Sequence, residues 1–498
     1  MSPEFLALPL RRLAETAMAR AVDLGVSHAD IRVERLASER LTLRDAHLES
    51  ADRTDQLGFG VRVVSDGSWG FAASTELTPE AVLRAVDDAV DVARVTAQAS
   101  TERIELAPEP AYGDVSWISA YDVDPLEVPL GDQVALLADW SSRLLRADAV
   151  AHVDAELDAV RENKFYADLA GTTTTQQRVR IQPSVTAVWV DPASGGFESM
   201  TSLAPPAGRG FEYLTGTGWD WDGELEQMPD LLAEKAAARS VEAGTYDLVI
   251  DPTNLWLTIH ESVAHATELD RALGYEANYA GTSWATFDEL GTRRFGSAAM
   301  NVIGDRTAEH GLSTVGWDDE GVAAQQWDIV REGVHVGYQL DRRTAALKGF
   351  GRSNGCGFAD SPARMPIQRM PNVSLQSDPV GPDTAGLIAR VERGIYVVGD
   401  KSWSIDMQRF NFQFTAQRFF EIRGGRLVGQ LRDVAYQGSG PSFWGSLDAV
   451  GGPSTYLLAG AFNCGKGQPG QVAPVSHGSP SALFRGVRVL NTREESGR

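Results

Sequence analysis

Between residues 9 and 24, apolar side chains fall at Leu10, Leu13, Ala17, Ala21 and Leu24, the three- and four-residue spacing of one helix face, and Gly25 supplies a stop. The period then changes to two. Short β-rich runs follow at 30–35, 39–44, 58–64 and 68–72, and Asp66-Gly67 between the last two predicts a tight hairpin in an antiparallel meander. Thr78-Pro79-Glu80 opens a second helix that runs to about Ala97, with Thr78 as N-cap and Pro79 in the first turn. A Pro-containing connection leads to a helical pattern at 130–147, alternating strands over 151–190, a Gly- and Pro-rich stretch from 191 to 223, and a helix at 225–243. Beyond a strand at 246–250, short strands and glycine turns prevail, with one helix near the start. The pattern predicts an α+β protein with two domains. The first, 1–243, is mixed α/β and divisible into 1–105 and 106–243; the second, 244–498, is β-rich with one helix near its start.

Charge narrows the partners. The 498 residues hold 68 Asp and Glu against 45 Lys and Arg, a formal net charge of −23, which repels phosphate backbones and anionic lipid and so argues against nucleic acid or a membrane. Two cysteines, Cys356 and Cys464, cannot build a disulfide framework. The apolar stretch at 5–10 is too short for a secretory signal, and its arginines follow when they should precede. No run of about 18 apolar residues is present. The expected compartment is the cytoplasm.

Chemistry concentrates at His260-Glu261-Ser-Val-Ala-His265, an H-E-x-x-x-H arrangement. The surrounding 251–270 segment starts with capping residues and carries Leu255, Ile259, Val263 and Ala266 on one stripe, so it reads as a helix packed on a core with its histidines and acids off that stripe. On an ideal α-helix His260 and His265 stand about 140° apart, too far to share a metal. An i→i+5 turn would bring both imidazoles to one side with Glu261 beside them, so a π-like distortion is predicted between them. A third ligand must come from elsewhere. Cys464, in the glycine-rich stretch Ala461-Phe-Asn-Cys-Gly-Lys-Gly, is the first candidate, followed by Glu268, His477 and Cys356.

Four segments together resemble the TldD/PmbA family: His260-Glu261-x-x-x-His265; Asp318-Asp319-Glu320-Gly321 with the 332–341 run after it; Arg364-Met-Pro-Ile-Gln-Arg-Met-Pro-Asn372; and Cys464-Gly-Lys466. Their order and spacing agree over nearly the whole chain. The resemblance is to the TldD type. It implies a zinc ion held by His260, His265 and Cys464, with Glu261 as general base in peptide-bond hydrolysis, which makes 244–498 the catalytic domain and its one helix the metal-binding helix. It implies as substrates short, unfolded or modified peptides bound in extended form, and as partner a TldE/PmbA-like subunit in a heterodimer, with a homodimer as the alternative. His477 stands where the family tends to carry a small residue. The stretch 406–420 carries Gln and aromatic side chains where family members often have small ones.

Arg364 and Arg369 are candidates for holding a substrate carboxylate or the tetrahedral oxyanion, and Asp318-Asp319-Glu320 reads as a solvated turn. Two rival functions remain: a metal-free scaffold subunit of a TldD/TldE-like complex, and a zinc amidohydrolase acting on a non-peptide amide.

Overall fold

The computed structural model describes residues 1–495; residues 496–498, assigned above to the second domain, lie outside the described residues. The fold is α+β, organised around two large sheets.

The first sheet uses β1 (His28–Arg44), β2 (His47–Ser65), β3 (Ser68–Ser74), β4 (Gly113–Ile118), β5 (His152–Asp168), β6 (Thr172–Val190) and β7 (Phe197–Thr201). Its order is β3-β2-β1-β5-β6-β4, with β7 beside β6 and only β4 running parallel to its neighbour. Asp66 and Gly67 both take positive φ (54° and 76°), as a two-residue I′ hairpin requires, and the Thr78 side chain accepts from Ala81 N as the predicted cap.

One expectation fails in an instructive way. The meander of short runs is in fact three strands, two of them 17 and 19 residues long. Odd positions of β1 face apolar cores: Ile31 and Val33 pack under α1 (Leu10–Asp23) and α2 (Pro79–Ala97), while Leu41 and Leu43 pack under α3 (Leu130–Leu145) and α4 (Trp221–Ala237). Even positions Asp30, Arg32 and Glu34 are equally buried, against the C-terminal half. Charge at buried positions hid the alternation. The last helix of this half also differs from its predicted span of 225–243: Asp220 caps α4 at Trp221, and the chain leaves the helix at Ala238 to form the strand Arg239–Ser240.

In the second sheet, β8 (Gly244–Ile250), β9 (Arg393–Ile405), β10 (Asn411–Arg423), β11 (Val434–Ser439) and β14 (Ala482–Asn491) close into a ring of pairings, β8-β9-β10-β11-β14-β8. A separate hairpin, β12 (Leu457–Lys466) with β13 (Gln471–Ser479), packs on the helix Pro252–Ile259 and the strand Asn372–Leu375. One apolar core spans this half from Val241 to Val489. Among the described residues no helix is long and apolar enough to cross a membrane.

The segment Asp318-Asp319-Glu320 is buried, contrary to the solvated-turn reading. Asp318 accepts from the backbone N–H groups of Glu320, Val322 and Gly357, Asp319 pairs with Lys164 at 2.8 Å, and Glu320 pairs with Arg62 at 2.7 Å. Asp319 and Glu320 are ties between the two halves, and Asp318 is held by backbone of its own half, which is why none of the three faces water.

Candidate metal centre

The helix α5 (Pro252–Ile259) starts directly after β8, with the Asp251 side chain accepting from Thr253 N and Pro252 in the first turn. Residues 260–264 then widen into a π-turn, and His265 N–H donates to His260 O, five residues back. This is the distortion that the histidine spacing predicts. Side chains meet carbonyls around it: Ser262 Oγ donates to Thr258 O, Thr267 Oγ1 to Val263 O and Gln339 Nε2 to Ala264 O. The predicted one-sided core stripe is not what forms. Every residue from Pro252 to Thr267 is buried, because the β12–β13 hairpin covers the face that the polar side chains occupy.

The two imidazoles stand 4.6 Å apart between ring centroids, and the ligand atoms of His260, His265 and Cys464 lie within 4.8 Å of one another, with Cys464 Sγ 3.7 Å from His265 Nε2. Each ring's other nitrogen is engaged. His265 Nδ1 bonds Glu268 Oε2 at 2.8 Å, and His260 Nδ1 bonds His477 Nε2 at 2.7 Å. Burial keeps the rings neutral, lowering His265 to about 3, His477 to about 4 and His260 well below the ordinary histidine range, the last with help from the neighbouring histidines. Neutral imidazoles whose Nδ1 atoms are occupied offer Nε2 lone pairs. Burial pushes the Cys464 thiol up to about 11, and Arg369 beside it pulls the other way. A divalent cation bound by Cys464 would displace that proton, and an N/N/S set suits zinc. The donors therefore fit the implied metal.

Glu268 and His477, weighed above as ligands, instead hydrogen-bond the Nδ1 atoms of His265 and His260. Backbone torsions at Glu268 (φ −73°, ψ 117°) end the helix and turn its carboxylate back onto His265. Against the upward push of burial, Lys466 and His265 hold that carboxyl well below the usual range. Lys466 Nζ lies 3.1 Å from Glu268, 2.8 Å from Asp270 and 3.1 Å from Gln368 Oε1, joining the cysteine strand to the histidine helix. Cys356 is buried elsewhere, its thiol donating to Asn354 Oδ1, and among the described residues it joins no metal cluster.

Glu261 is 5% exposed, and its Oε2 pairs with Arg409 Nη1. Burial raises the Glu261 carboxyl and Arg409 opposes the rise. Arg409 sits at positive φ (61°) on the tip between β9 and β10, and nothing in its sequence surroundings marks it. The two candidate substrate arginines separate: Arg369 is buried and donates to Cys464 O, whereas Arg364 is exposed and takes no part in this network. Beside the cluster an open depression of about 450 Å³ is lined by Tyr279, Asp360, Arg409, Gly465, Lys466 and Val472.

The fold is thereby defined as α+β, with two buried histidines brought together by a π-turn and the Cys464 thiol set beside them from a separate strand. Residues 243–491 match the PmbA/TldA metallopeptidase C-terminal domain, and residues 29–93 match PmbA/TldA metallopeptidase domain 1. The chain belongs to the PmbA/TldD family of metallopeptidases. A metalloprotease of Methanothermobacter thermautotrophicus is 26% identical, covering 94% of this chain and 96% of its own. A zinc metalloprotease TldD homolog of Saccharolobus solfataricus is 21% identical over 94% and 98%. The crystal structure of TldE from Thermococcus kodakarensis has the same fold, with a TM-score of 0.69 at 16% identity over 95% of this chain and 99% of that one.

Proposed function

We propose that this chain is a zinc-dependent metallopeptidase of the TldD type, acting on short, unfolded or modified peptides, with 244–498 as its catalytic unit. His260, His265 and Cys464 hold the zinc, and Glu261 is the general base. One observation carries the reading: the five-residue hydrogen bond from His265 N–H to His260 O, which turns both imidazoles toward Cys464. The zinc metalloprotease name of the Saccharolobus relative supports the metal.

A zinc ion bound there supplies Lewis acidity, polarising a carbonyl and making a water acidic near neutral pH. The chain's own groups do the rest. Glu261 takes the proton at its carboxylate and returns it to the leaving amine; burial raises that carboxyl, which favours taking the proton, and Arg409 opposes the rise. Among the described residues β12 pairs with β13 alone, and its other edge, which has no strand partner, is where an extended peptide would add a strand leading to Cys464. A TldE-like subunit is the expected partner, in keeping with the shared fold.

The test is Glu261→Gln. The variant keeps about one zinc per chain and loses peptidase activity by about 10²-fold or more; turnover at the wild-type rate excludes Glu261 as base. A panel of peptides against small non-peptide amides separates a peptidase from an amidohydrolase, and purified chain without metal favours the scaffold role.

A further inference from the structure

The His260 imidazole has a partner that neither its helix nor its strand neighbours supply. His477, on β13, is fully buried, with Nε2 2.7 Å from His260 Nδ1 and Nδ1 2.9 Å from Val373 O. A backbone carbonyl can only accept, so the proton of a neutral His477 is on Nδ1. Its Nε2 is then a lone pair, and the hydrogen of the 2.7 Å bond belongs to His260 Nδ1. That leaves one atom of His260 unprotonated, Nε2. We propose that His477 is a positioning residue that fixes the tautomer and the orientation of His260, so that His260 presents its Nε2 lone pair to the metal. The proposal rests on the metallopeptidase reading above.

The relay has a fixed anchor. Val373 belongs to the strand Asn372–Leu375, which pairs with Val302–Asp305, so its carbonyl cannot rotate to suit another hydrogen-bond pattern. Trp256 stands near both rings, 6.2 Å from His260 and 6.3 Å from His477 between centroids, the latter at an interplanar angle of 7°. The site thus orients its two imidazoles by different means, His265 through the Glu268 carboxylate and His260 through a neutral ring. A thiolate from Cys464 and one carboxylate behind His265 already balance a divalent cation, and a neutral partner behind His260 adds no further negative charge.

The experiment is zinc affinity of the full-length chain by chelator competition, for wild type, His477→Val and His477→Gln, the last keeping an amide oxygen that accepts from His260. His477→Val weakens zinc binding about 10- to 100-fold, and His477→Gln stays within about threefold of wild type. Wild-type affinity in His477→Val overturns the proposal and leaves the metallopeptidase reading standing. A wild-type chain that binds no zinc overturns both. Should His477→Val not fold, ¹⁵N-histidine NMR of the metal-free wild type decides: a proton on His260 Nδ1 supports the relay and a proton on Nε2 overturns it.

Discussion

Glu268 cannot be spared as a ligand, since its two oxygens already serve His265 and Lys466. This makes Cys464 the one donor without a substitute among its neighbours. Cys464→Ala is therefore expected to lower zinc to well below one per chain at wild-type loading, measured by elemental mass spectrometry after dialysis; unchanged occupancy removes the thiolate from the ligand set. Residue types and spacing pointed to His260, Glu261 and His265 and offered Cys464 as the first of four candidates for a third ligand, because imidazole, carboxylate and thiolate advertise their chemistry; the full set came with the family resemblance. What they could not show is which acids and histidines stand behind the ligands. His477 and Glu268 have the same side chains as a ligand would, and only the direction of their hydrogen bonds separates the roles.

Elements place Arg409. The tip joining β9 to β10 docks on the 281–284 segment through Thr282 N–H to Met407 O (3.1 Å) and Trp284 N–H to Gln408 O (3.0 Å). Gly281 has φ of +83°, and a β-carbon there would stand 1.9 Å from Met407 O. Gly281→Ala therefore lifts the tip and draws Arg409 away from Glu261. The expected result is a kcat reduced by about 10²-fold with zinc content unchanged, measured by steady-state peptide hydrolysis alongside metal analysis. At this scale the π-turn was legible because two histidines five positions apart fall on different sides of a regular α-helix and meet only if the turn widens. The long β1 and β2 were not, since Asp30, Arg32, Glu34 and Arg62 occupy buried positions that patterning reserves for apolar side chains. The all-round burial of 252–267 was missed for a related reason. Its cover comes from a hairpin two hundred residues later in the chain, which no local period reports.

Across the molecule, the two halves meet on charge. Arg62 bridges Asp30 and Glu320, and Lys164 reaches Glu34, Glu162 and Asp319. Glu34 is the strained member: neither oxygen accepts a hydrogen bond, and burial pushes its carboxyl up to about 7 despite Lys164 and Arg32. With a folded value above the unfolded one, its contribution is complete below about pH 4.5 and is lost as pH rises through about 7. Glu34→Gln, which cannot ionise, should flatten the fall in melting temperature between pH 5 and 8, and above pH 8 should melt about 2–4 °C higher than wild type. A steeper fall in the variant contradicts this account. Within the same protein, Lys466 makes a different kind of bond between parts, tying the strand of Cys464 to the acids that follow His265. Helix and strand are thus fastened by the polypeptide itself, so an ion bound there would be a tool held in a finished socket and not the rivet that keeps the socket together; it could be drawn and replaced while the handle keeps its shape.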